Sequence, residues 1–223
     1  MVEGSGKHAF WQALIFTIIV FGLGLILGYF LEMNRSSKVE INLINSEINL
    51  LDEQVRIRAI QDMNVSCEEA KESTFSFADK IYNEAVLMEE YDATSKFTKI
   101  TNLLHRRYDL LRMILWIESV ETKQKCGHQY HTIAYLYEYE TKSVDTRAKQ
   151  TAFARILEDV KGKYTDQVLL IPMAGNLDVE SINIIKKKYG INKLPSIIID
   201  EKHVIDELPT ASEVERILFE NKE

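Results

Sequence analysis

Tyr189-Gly190-Ile191-Asn192-Lys193-Leu194-Pro195-Ser196-Ile197-Ile198-Ile199 is the stretch on which the reading of this chain turns. Gly190 stops a helix expected over 178–189, since a glycine past the last turn accepts the left-handed conformation. The β-branched run after Pro195 predicts a strand over 196–200, a turn at Glu201-Lys202 and a partner strand near 203–207. Upstream, TIAYLYEY (132–139) is rich in strand formers, and a helical pattern follows over 143–164. QVLLIPMA (167–174) is nearly continuous in apolar residues, as a central strand is. Thr210-Ala211-Ser212-Glu213 is a capping box that opens a last helix. The order is strand, helix, strand, helix, hairpin, helix. Such alternation predicts a parallel pair to which the hairpin adds antiparallel pairing.

The N-terminal half is different in kind. Residues 9–31, AFWQALIFTIIVFGLGLILGYFL, carry no ionisable charge over 23 positions. At about 1.5 Å per residue they suffice to cross a hydrocarbon core about 30 Å thick. Trp11 and Tyr29 suit the two interfaces, and the lipid bilayer is the first expected partner. The run is long for a cleaved signal and has no polar face for a soluble core helix. A retained signal-anchor is expected, with the soluble region outside the cytoplasm. Basic residues divide nearly evenly across it and leave orientation weakly marked. Gly24-x-x-x-Gly28 permits close helix contact, so the anchor is one candidate for homo-oligomer formation.

Beyond the anchor, Ile41, Ile44, Ile48, Leu51 and Val55 recur at three- and four-residue steps behind a Ser37 cap. Ser66-Cys67-Glu68-Glu69 is a second capping box, opening a helix to about residue 90. A third helix is expected over 94–125, with Phe97, Ile100, Leu104, Leu111 and Leu115 on one stripe. These stripes predict a coiled-coil or bundle section packed on the next domain, and a second candidate for self-association. His105-Arg106-Arg107 and Lys186-Lys187-Lys188 read as solvated helix faces. The expected division is a tail over 1–8, a transmembrane helix over 9–31, a helical section over 37–126 and a mixed α/β domain over 131–223. Net charge is -7 in 223 residues, so no nucleic-acid footprint is expected.

The segment from Tyr189 to Ile199 resembles the signature of the thioredoxin superfamily, in which a helix, a Tyr-Gly pair and a proline precede a strand. The resemblance covers about residues 131–221. It implies that Pro195 is a cis proline beside the site, with Leu194 facing a groove that holds extended peptides. More narrowly, Tyr108-Asp109-Leu110-Leu111, Trp116, Cys126-Gly127 and Tyr135-Leu136-Tyr137 resemble stretches of membrane-anchored thioredoxin-like proteins of archaea. The fold class implied is α+β or α/β, with an anchor, a helical middle and a C-terminal thioredoxin-like domain.

The departure from that family carries the functional expectation. Active relatives place Cys-x-x-Cys at the start of a helix, whose N-terminus acidifies the first thiol. Here the equivalent positions read Ser143-Val144-Asp145-Thr146, and no cysteine lies beyond Cys126. A hydroxyl has no disulfide state, so these four are degenerate redox positions. Helix capping by Ser143, with Asp145 favourable to the dipole, is the plainer reading. No base or oxyanion hole for a nucleophilic Ser143 is visible in the sequence. Cys67 and Cys126 begin and end successive helices, and an antiparallel pair brings such ends together. They form a disulfide if the region is exported and are buried thiols if it is not. The resemblance supports a structural role for them. Cys126-x-His128-x-x-His131 has metal-like spacing, with Cys67 as a conceivable fourth ligand. Strand alternation would spread these histidines, and no metal or cofactor is expected. The first expectation is a non-enzymatic module binding a protein or extended peptide. The alternatives are a thiol oxidoreductase using Cys67 and Cys126, and an accessory subunit of a larger membrane complex.

Overall fold

The computed structural model describes residues 5–63, 65–94, 98–127 and 129–219. The chain is mixed helix and sheet and divides into two compact units, 1–58 and 59–223. The first is helical. Helix α1 runs unbroken over Ser5–Asp62, where the sequence reading started a separate helix at Ser37. Residues 32–40 contain neither Gly nor Pro, so nothing in the backbone stops the helix that the apolar segment begins. Ala9–Leu31 is long and apolar enough to cross a membrane, and none of it is buried. Further along α1, Ile44, Ile48, Leu51 and Val55 are exposed.

In the second unit, α2 (Cys67–Thr94) and α3 (Thr98–Cys126) precede the sheet. The strip between them and the stripe residue Phe97 fall outside the described residues. The capping box that opens α2 closes both ways: the Ser66 amide donates to Glu69 Oε2 (3.1 Å) and the Glu69 amide to Ser66 Oγ (3.3 Å). Cys67 and Cys126 are joined by a disulfide. The Tyr108 hydroxyl donates to the Ile81 carbonyl across the helix pair. These two helices belong to the same compact unit as the sheet, whereas the sequence reading drew a boundary near residue 130.

The sheet contains β1 (His131–Tyr137), β2 (Val168–Ala174), β3 (Ser196–Ile199) and β4 (His203–Ile205), in the order β2-β1-β3-β4. β1 and β2 pair in parallel, with His131 opposite Val168 and Tyr137 opposite Ala174. β3 runs antiparallel to β1, with Leu136 opposite Ser196, and β4 antiparallel to β3. Helix α4 (Val144–Lys163) makes the crossover, α5 (Glu180–Lys188) joins β2 to β3, and α6 (Ala211–Phe219) closes the chain.

Alternation along the strands divides the core. Ile133, Tyr135, Val168, Ile197 and Ile199 pack with Phe153, Leu157 and Val160 of α4 and Val214 and Leu218 of α6. The alternate residues Ala134, Leu136, Leu169, Ile171, Met173 and Ile198 are also buried. Their face is the one left for α3, which lies against β1 and β2 and brings Leu111, Leu115 and Trp116 into the core. Gly190, at φ 65°, ends α5 in the left-handed conformation that a side chain would resist. The Thr210 box holds α6: the Thr210 amide donates to Glu213 Oε2 (2.7 Å) and the Glu213 amide to Thr210 Oγ1 (3.2 Å).

Candidate functional site

The end of β1 at Tyr137, the start of α4 and the segment before β3 meet at one end of the sheet, as the pairing of Leu136 with Ser196 requires. A groove of about 770 Å³ opens there, lined by Glu138, Glu180, Lys186, Lys187, Ile191 and Leu194 among others. The peptide between Leu194 and Pro195 is cis. Pro195 is buried and Leu194 half-buried. Behind Leu194 lies Gly175, where an added Cβ would sit 2.9 Å from Leu194 Cδ1. A side chain at 175 would push the Leu194 side chain aside.

The groove rim is held by side chains that bond backbone. Gln150 of α4 accepts from the Glu138 amide at 3.0 Å and donates to the Glu138 carbonyl at 3.2 Å. Asn176 does the same for Tyr139, at 2.8 and 2.9 Å. Lys186 Nζ donates to the Gly175 carbonyl at 2.8 Å. These contacts consume backbone groups and leave the Glu138 carboxylate over the groove without an ion pair among the described residues. The ring of His105 lies on Tyr139, with centroids 4.1 Å apart, and Arg106 donates to the Asp178 carbonyl at 3.0 Å. Part of the basic run read as solvated thus braces the groove loops from α3.

Ser143 is the cap of α4, with its Oγ accepting from the Thr146 amide at 3.2 Å. Its own amide donates to Thr141 Oγ1 at 3.3 Å, and Arg147 donates to the Thr141 carbonyl at 3.0 Å. Val144 is 79% exposed, and Asp145 pairs with Lys149 one turn on, at 3.2 Å. Ser143 caps the helix start, and among the described residues no titratable base contacts its hydroxyl.

Two buried charges were not singled out as site residues by the sequence reading. Asp109 of α3 is 1% exposed. Its Oδ1 accepts from the Ala174 amide at 3.2 Å, and Oδ2 has no partner among the described residues. Burial, only partly offset by Arg112 and the Ala174 hydrogen bond, pushes its carboxyl up to about 6. The residue lies one peptide below Gly175 and the groove wall. Lys123 is also 1% exposed, and its three donors meet Thr132 Oγ1 (2.7 Å), Asp200 Oδ1 (2.9 Å) and Glu201 Oε2 (2.7 Å). His131 Nδ1 lies 2.6 Å from Asp200 Oδ2, and Trp116 Nε1 donates to Glu201 at 2.9 Å. Burial works against the Asp200 carboxylate, but His131, Lys123 and the Thr132 amide outweigh it and hold it well below the usual range. This cluster surrounds the start of β1 and the β3–β4 turn, at the end of the sheet opposite the groove.

Among the described residues the metal-like spacing does not assemble. Cys126 is in the disulfide with Cys67, His131 is engaged by Asp200, and His128 lies outside the described residues. The disulfide follows the same logic of place: Cys126 ends α3 just before the start of β1, whereas Leu194 lies beside the end of β1. No family model matches this chain, and no curated protein matches it.

Proposed function

We propose that the soluble unit is a thioredoxin-like binding module without a dithiol, held at a membrane by α1 and facing an oxidising compartment. The observation that carries this reading is the groove. It is lined by Glu138 after β1, by Glu180, Lys186 and Lys187 of α5, and by Leu194 beside the cis peptide that the thioredoxin resemblance sets at a peptide groove. The rim is pre-braced by Gln150 and Asn176, so little ordering is needed when a chain enters. Ser143 at the helix start supplies a cap and no electrons. Lys187 and Glu180 on one wall and Glu138 on the other give it charges of both signs. Its ligand is a segment of another protein, bound in extended form. The disulfide between Cys67 and Cys126 supports an extracytoplasmic location, since cytosolic thiols are kept reduced.

Two assays on the full-length chain in detergent test this. Insulin reduction in the presence of a dithiol should run no faster than in buffer, and a clear acceleration would sink the reading. Binding to a library of extended peptides should be lost in Leu194→Arg, which fills the groove, and kept in Val204→Arg on an outer strand. Equal binding by both variants would remove the groove from the proposal.

A reading as an accessory subunit is favoured by one observation on α3. Leu103, Leu110 and Ile117 recur every seven residues and are 63%, 40% and 49% exposed. A stable companion protein purified with the chain in mild detergent, and lost in Leu110→Asp, would favour that reading over a free-standing module.

A further inference from the structure

The stretch of α1 beyond its apolar segment carries Ile44, Ile48, Leu51 and Val55 at steps of four, three and four. They are 50%, 57%, 56% and 66% exposed. Burial on this part of the helix falls on the opposite side, at Glu53, with Leu50 and Ile57 half-buried. The fold of a single copy therefore leaves a straight apolar stripe open to water.

The stripe has the chemistry of a seam for a second copy of this chain. Steps of four and three are the repeat of a two-stranded coiled coil, in which each seam side chain enters a hole on the facing helix. Extended back by the same step to Ile41, one seam position reads Ile41, Ile48, Val55 and the other Ile44, Leu51. In a parallel coil, β-branched residues at the first position with leucine at the second, as at Leu51, favour two strands. The helix also runs without a break from Ala9–Leu31 into the seam. Two copies anchored by that segment in one bilayer stand parallel and at equal depth, so their seam positions meet in register.

Length and flanking charge define how strong such a pair is. Residues 41–55 span about 22 Å of helix. That is two heptads, short of the three or four that mark a self-sufficient coiled coil. Confinement by the anchors raises the effective concentration and makes up the shortfall. Glu47 and Asp52 are exposed and border the seam on its two flanks, where a parallel pair sets them against each other. The pair is thus held by apolar contact against a like-charge flank.

We propose that the chain forms a parallel, in-register homodimer along Ile44, Ile48, Leu51 and Val55; the dimer rests on the reading of α1 as a membrane anchor. The test is disulfide trapping of the full-length chain in native membranes. Leu51→Cys, in the seam, should give a reductant-sensitive dimer well above the background of the unmodified chain. Asn49→Cys, off the seam, should stay at background. Adding Ile48→Asp to Leu51→Cys should abolish the dimer, and adding Glu47→Lys should raise its yield by turning the flank attractive. Equal trapping at 49 and 51, or a Leu51→Cys chain that is monomeric in the carbonate-resistant membrane fraction, would overturn the dimer alone. Trapping of Leu51→Cys to a different protein would overturn the second copy as occupant. A chain absent from the carbonate-resistant fraction would overturn the anchor, and with it a membrane-registered dimer.

Discussion

The two ends of the sheet treat charge in opposite ways. At the end where β1 begins, Lys123 is buried and every one of its donors is matched, while Asp200 and Glu201 are tied to Thr132, His131 and Trp116. At the end where β1 finishes, side chains are spent on bracing backbone, and the groove residues Glu138, Glu180 and Lys187 stay at the surface. Saturated polar networks hold a structure in one arrangement, whereas under-used polar groups around a concavity are available to a ligand. The contrast teaches which end to read as scaffold and which as site. The disulfide lies with the scaffold end.

Breaking the scaffold end gives the largest expected effects. Lys123→Met leaves Asp200 and Glu201 facing each other without their cation, and removing one partner of a buried pair costs about 3–5 kcal/mol. Thermal unfolding followed by near-ultraviolet circular dichroism should show the loss, and peptide binding should persist below the lowered midpoint. Lost binding in a still-folded Lys123→Met would break the division between the two ends. Replacing Cys67 and Cys126 together by serine opens a link spanning 59 residues. The chain-entropy account puts that at about 4 kcal/mol as an upper figure. Urea midpoints of the two proteins measure it, again with binding expected to survive.

The carboxylates at the two ends should respond to pH with opposite signs. Asp200 is held low, so its contribution is present above the unfolded value of about 3.9 and disappears as pH falls below it. Asp109, near the groove, is pushed up to about 6. The native state then binds the extra proton between about pH 4 and 6, and stability declines as pH rises through that window. Asp109→Asn removes the buried charge and should stabilise the protein at pH 7.5 by about 1–3 kcal/mol, an amount that vanishes near pH 4. Unfolding midpoints of the two proteins at both pH values decide it. A variant less stable at pH 7.5 would mean that the Ala174 tie outweighs the buried charge.

Much of the second unit was legible because its signals are local. Gly190, the Ser66 and Thr210 capping boxes, and the β-branched run at Ile197 each fix a few backbone angles by themselves, and the elements fall within a few residues of the expected bounds. The buried charges were not legible. Asp109 and Lys123 sit on an amphipathic helix where charge ordinarily means a solvated face, and the partners of Lys123 lie far away in sequence, at Thr132, Asp200 and Glu201. Such a pairing is set by how α3 lies on the sheet, which no local pattern encodes. The groove was half legible: Leu194 was named from a motif. Gln150 and Asn176, which brace its rim, carry no signal until the β1–α4 and β2–α5 turns are brought side by side. The stripe on α1 is a different case. Periodicity reports that a face is apolar and is silent about what covers it, and Ile44 to Val55 remain open in one copy.

The smallest expected effect bears on what occupies the helix start. If Ser143 is a cap alone, Ser143→Ala should cost about 1 kcal/mol, and Ser143→Asp should recover it, because an aspartate oxygen accepts from the Thr146 amide equally well and suits the helix dipole. Peptide binding should change little in either variant. If Ser143 instead contacted a ligand chemically, alanine and aspartate would both lose function and the stability series would not predict the loss. Unfolding midpoints and peptide affinities measured on the same three proteins separate the cases. Parallel behaviour of alanine and aspartate in binding, with opposite behaviour in stability, would assign chemistry to a residue whose visible hydrogen bonds are all structural.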